Sequence, residues 1–122
     1  MATTRRRNAD STAPLPPAVF HLLLALRDGE QHGYALMQRV EQLTDGSVRM
    51  GPGTLYGAIK RMLAEGLIEE SAERPDRALD DQRRRYYRIT AAGEHACAAE
   101  VVRLETLLRN ARRAGPTLGH AG

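Results

Sequence analysis

The sequence predicts a mainly α-helical domain that carries one small β-hairpin and ends in a long helix. Three observations lead there. Apolar residues recur with the period of a buried helical face in three successive stretches, a two-residue alternation follows them, and the last third of the chain has a 4,3,4,3 apolar spacing with no internal helix breaker. A length of 122 residues, with 42% apolar and 27% charged residues, fits one folded domain with a single appended element.

Residues 1–14 are small and polar, with Arg5, Arg6 and Arg7 in a row, and are expected to form a disordered basic tail. They hold no apolar run before a cleavage site, so a secretory signal is not expected. From Pro16 the pattern changes. Val19, Leu22, Leu23 and Leu26 share one helical face, and a proline suits a first turn, which predicts a helix over 16–27. Phe20 and Leu24 form a second stripe, so this helix calls for two neighbours, one of them in a second chain. The apolar run 18–26 is interrupted by His21 and is far short of the ~20 residues a bilayer span requires.

Asp28 and Gly29 end that helix, and a second is predicted over 33–43 with Tyr34, Leu36, Met37, Val40 and Leu43 on its apolar side. His32 reads as a turn residue ahead of it. After the turn Gly51-Pro52-Gly53, a third helix over 53–65 turns Leu55, Ile59, Met62 and Leu63 inward and leaves Thr54, Tyr56, Gly57, Lys60 and Arg61 outward or sideways. Residues 67–70 and 84–89 are strand-like and can pair as a hairpin around a long loop, 73–83. Thr90 is a good N-cap for a last helix over 91–114, about 35 Å long. Cys97, Val101, Leu104, Leu108 and Ala111 give it a coiled-coil spacing, read as a dimerisation seam, and residues 115–122 are expected to be a disordered tail.

Three helices, a hairpin and a final helix are the order of a winged helix-turn-helix over 15–90 with a dimerisation helix behind it, an arrangement in which the third helix enters the DNA major groove. The basic residues are 17 Arg and one Lys, and the pI is near 9.5. Arginine suits bidentate contact with phosphate and guanine edges. Six Arg against three Asp fall within 74–88, so the wing reads as a phosphate-binding surface with Arg84, Arg85 and Arg88 on its second strand and Arg83 just before it.

Gly33-Tyr34-Ala35-Leu36, Gly53-Thr54-Leu55-Tyr56, Gly66-Leu67-Ile68 and Tyr87-Arg88-Ile89-Thr90-Ala91-Ala92-Gly93 together resemble, in order and spacing, the signature of PadR-like transcriptional regulators. The resemblance covers about 16–114. It implies a dimeric winged-helix regulator, usually a repressor, of the short form with one C-terminal helix that crosses the partner subunit. It departs from the family in Ile89, where leucine is usual, and in the small Ala58 and early turns of the last helix. By motif, Tyr56 resembles the recognition-helix tyrosine that contacts the DNA backbone, with Gly53 and Thr54 placing the helix N-terminus near a phosphate. Lys60 and Arg61 follow as candidates for base edges or phosphates, and Arg5 to Arg7 read more simply as a free tail than as a minor-groove arm.

Catalysis and metal binding find no support. His21, His32, His95 and His120 have no ligand spacing, no phosphate-binding or nucleophile motif occurs, and Cys97 is a lone cysteine on an apolar seam. No cofactor is expected. The expected partners are double-stranded DNA and a second copy of the chain, with no membrane and a cytoplasmic location. With no Trp and one Phe, an aromatic effector sandwich is not expected. An aliphatic pocket for a small apolar effector among Phe20, Leu24, Val101, Leu104 and Leu108 stays open, as does the alternative of a winged-helix protein-interaction module without DNA binding.

Overall fold

A computed structural model describes residues 14–71 and 85–121, with side chains described up to residue 114. The elements in chain order are α1 (Pro17–Leu26), β1 (Gln31–His32), α2 (Gly33–Leu43), α3 (Pro52–Ala64), β2 (Ile68–Ser71), β3 (Tyr86–Ile89) and α4 (Ala91–Ala121).

Helix α1 is the centre of the molecule. Pro17 occupies its first turn, and Val19, Leu22, Leu23, Ala25 and Leu26 are buried. It touches α2, α3, α4 and β3. Four neighbours are thus supplied within the chain, and Phe20 and Leu24 lie half-buried against the same core. Leu36 and Val40 of α2, Leu55, Ala58, Ile59 and Met62 of α3, Leu67, Ile68 and Tyr87 of the wing, and Ala96 and Cys97 of α4 share that core. At roughly 1.5–3 kcal/mol for each fully buried aliphatic side chain, these residues are the main source of stability.

Helix α2 begins where the sequence places it, but its cap is unusual. His32 stands at the N-cap and its Nδ1 accepts the Ala35 N–H at 3.2 Å, the role normally filled by Ser, Thr, Asp or Asn. Two expected core positions of this helix are open instead: Tyr34 is 56% exposed and Leu43 42%. They stand at its two ends, where the neighbouring helices no longer cover it. Leu63, near the end of α3, is also exposed, whereas its other inward positions are buried as expected.

The expected hairpin exists, with Glu69 opposite Arg88 and Ser71 opposite Tyr86. It is widened by one short strand, β1, where a turn is expected from the sequence. Gln31 and His32 pair with Tyr87 and Tyr86, giving an antiparallel sheet in the order β1-β3-β2. The ring of His32 also meets Tyr86 edge-on, with centroids 5.4 Å apart. The loop 73–83 lies outside the described residues, as does the tail 1–13.

Helix α4 is locked to the turn after α3. Thr90 caps it by accepting the Gly93 N–H, and the same hydroxyl donates to the Gly66 carbonyl at 2.7 Å, while the Thr90 N–H donates to Leu67 O. Gly93 lies so close to Leu67 that a Cβ would fall within contact distance of its carbonyl group and 2.8 Å from Ile89 Cγ1. The helix runs to Ala121, past the end expected at residue 114 and so through the segment expected to be a disordered tail.

Candidate nucleic-acid interface

Pro52 starts α3 directly after the extended Gly51, and the apolar period of the helix then divides it into two faces. Leu55, Ala58, Ile59 and Met62 are buried, whereas Gly53, Thr54, Gly57, Lys60 and Arg61 are exposed. The exposed face starts at a helix N-terminus whose first N–H groups have no helical partner, which favours a nearby anion. Gly57 lies in the middle of this face. It interrupts a helix interior, where glycine is unfavourable, and a Cβ there would meet nothing within 4 Å. Its exposed position on this face is the signal that points to close approach by another molecule.

Tyr56 stands at the edge of the face. It is half-buried against the core, and its phenol extends to the start of α2, where a Cβ on Gly33 would lie 2.7 Å from the hydroxyl oxygen. The Tyr56 ring in this position thus fits over a glycine at residue 33 and would have to move for a larger residue. Arg61 Nε donates to Glu65 at 3.0 Å, one turn further on, while Lys60 makes no ion pair among the described residues.

The wing is less basic than a count over 74–88 suggests. Over 69–89, six Arg face six carboxylates, because Glu69, Glu70 and Glu73 fall just outside the shorter window. Arg88 Nε donates to Glu69 at 2.8 Å, and Arg85 Nη1 donates to both oxygens of Glu70 at 3.0 and 2.9 Å. Burial, with the adjacent Glu70 carboxylate, pushes the Tyr87 phenol above its ordinary value, since both disfavour a phenolate. Arg83 and Arg84 lie outside the described residues.

The seam expected along α4 divides. Cys97 is fully buried in the protomer's own core and presents no surface to a second chain. Burial pushes its thiol pKa up, against the pull of Arg27, which makes it a poor nucleophile. Val101 and Leu104 are partly covered, and Leu108 and Ala111 are exposed. Two apolar residues absent from the expected seam, Val102 and Leu107, are 59% and 55% exposed. Beside them, Glu100 is buried: one oxygen accepts the Leu15 N–H at 3.3 Å, and both accept from Arg103. The Arg103 hydrogen bonds, aided by the Leu15 N–H, hold its carboxyl below the ordinary value in spite of desolvation.

Among the described residues no group of three or more His, Cys, Asp or Glu is arranged to hold a metal, and no helix is long and apolar enough to cross a membrane. The chain is 37% identical over 89 residues to the transcriptional regulator Rv3488 of Mycobacterium tuberculosis, a match covering 73% of this chain and 77% of that protein. Its fold is similar to that of a transcriptional regulator from Clostridium thermocellum, with a TM-score of 0.66 and 24% identity over 79% of this chain and 87% of the other. It is also similar to a PadR family transcription regulator from Clostridium difficile, with a TM-score of 0.65 and 20% identity over 80% and 97%. The match to the transcriptional regulator PadR-like family spans residues 22–99, from the middle of α1 through α3, the wing and the Thr90–Gly93 lock into α4, and the chain belongs to that family.

Proposed function

We propose that the protein is a sequence-specific DNA-binding transcriptional regulator, a homodimeric repressor that reads an inverted-repeat operator through residues 53–65 and the wing 69–89. The division of α3 into a buried apolar face and an exposed face of Gly53, Thr54, Gly57, Lys60 and Arg61 carries this reading. Lys60 and Arg61 approach base edges or phosphates, Tyr56 and the helix N-terminus hold the backbone, and Arg83, Arg84, Arg85 and Arg88 reach the flanking phosphates. The apolar residues left open on α4 support a dimer, whose two-fold axis requires two half-sites about 34–36 Å apart. A small apolar effector fits the same account if it binds in an aliphatic pocket among Phe20, Leu24, Val101, Leu104 and Leu108.

The charge balance of the wing favours a second reading, a winged-helix module that binds another protein. Salt dependence separates the two. For the DNA reading, anisotropy with labelled duplexes gives an affinity that falls steeply with salt, and Lys60→Ala or Arg61→Ala weakens binding. Affinity for DNA that is weak at every salt concentration and unchanged by these substitutions supports the protein-binding reading.

A further inference from the structure

Every described arginine of the candidate interface is held by a carboxylate of the same chain: Arg61 by Glu65, Arg85 by Glu70 and Arg88 by Glu69. The two wing pairs are not incidental neighbours in sequence. They are set by strand register, which places Glu69 directly opposite Arg88 and puts Arg85 diagonally across from Glu70. All four side chains are between about a third and about a half exposed, so each pair contributes at most about 1 kcal/mol to folding. The fold has little need of them. A phosphate that approaches either arginine has to displace the carboxylate or bind beside it, against like-charge repulsion.

We infer that Glu69 and Glu70 are affinity-setting residues, which occupy Arg88 and Arg85 in the free protein and limit how tightly the wing holds DNA of any sequence. This rests on the DNA-binding reading above. Phosphate contacts supply most non-specific affinity and carry no sequence information, so weakening them leaves discrimination to α3 and keeps the protein from being held on unrelated duplex. The carboxylates act through the arginines, which gives the inference a signature that simple removal of negative charge does not have.

The test is a binding titration with a fixed random-sequence duplex, at about 50 mM and about 200 mM salt, for the wild type, Glu69→Gln, Glu70→Gln and the double variant. Thermal melts confirm that the exposed substitutions leave the fold intact. Each arginine released to a phosphate should tighten binding at low salt and steepen the salt slope by about 0.9, so that the gain shrinks roughly threefold between the two concentrations. In an Arg88→Ala background, Glu69→Gln should then change nothing. Binding by the wild type with no gain in either variant overturns the inference alone, as does a gain that persists without Arg88. A wild type that binds no duplex at either salt overturns both this inference and the DNA-binding reading beneath it.

Discussion

The phenolic oxygen of Tyr56 closes over Gly33, at a distance that leaves no room for a methyl group. The contact joins the first turn of α2 to the first turns of α3 and so fixes the angle at which the exposed face of α3 is presented. Gly33→Ala places a Cβ 2.7 Å from that oxygen, and because the tip of the Tyr56 side chain can move aside, it should lower stability by no more than about 1 kcal/mol while displacing the ring. Gly57→Ala should do the reverse. With open space above it, it should stabilise the free protein by about 0.5–1 kcal/mol while weakening DNA binding. Thermal melts and duplex titrations on both variants check the pair.

A second junction, between Thr90 and Gly93 on α4 and Gly66 and Leu67 after α3, orients the last helix. Thr90→Val keeps the shape but removes a cap and a bond to Gly66 O, and should cost about 1 kcal/mol, whereas Thr90→Ser should cost much less. Gly93→Ala directs its methyl at backbone that cannot rotate away, so a loss of about 3 kcal/mol or more is expected. Urea denaturation of the three variants orders these effects.

These junctions show how far the sequence carries. The four glycine-bearing motifs looked like separate, weak signals, yet in the fold Gly33 meets Tyr56, and Gly66 and Leu67 meet Thr90 and Gly93. They occur together because they are two contacts. The helical periods of α1 and α3 were legible because their buried faces are continuous. Strand β1 was not, since two residues show no alternation and their pairing depends on β3, about 55 residues away in sequence. Cys97 matched a seam spacing because a coiled-coil face and a core-facing stripe share the same period over the first turns of a helix. The charge balance of the wing is countable in the sequence over 69–89, but the pairing of Glu69 with Arg88 and Glu70 with Arg85 is not, since only the register shows whom they face.

Leu108 is half exposed on α4, so Leu108→Glu should leave the protomer folded, and the dimer proposed above predicts that it prevents association. Sedimentation should shift from dimer to monomer with an unchanged circular dichroism spectrum. An unchanged sedimentation coefficient would reject the seam.

Glu100 gives a pH dependence of defined sign. Its carboxyl is held below the ordinary value of 4.5, so the folded state binds its proton less readily than the unfolded state. Its contribution is fully present above that value and is lost as pH falls through the lower folded one. Glu100→Gln should therefore be less stable than the wild type near neutrality, and the gap should narrow as pH drops below the ordinary glutamate range. Denaturant melts across that range test it, and a gap that widens in acid would contradict the arrangement with Arg103 and Leu15.

The most direct test of the central claim is selection of binding sites from a random duplex pool by the purified protein at two salt concentrations. A dimer reading DNA through α3 predicts enrichment of an inverted repeat with half-sites about one helical turn apart, and binding that weakens steeply with salt. Absence of any enriched sequence at either salt would contradict it and direct attention to a protein partner for the same face.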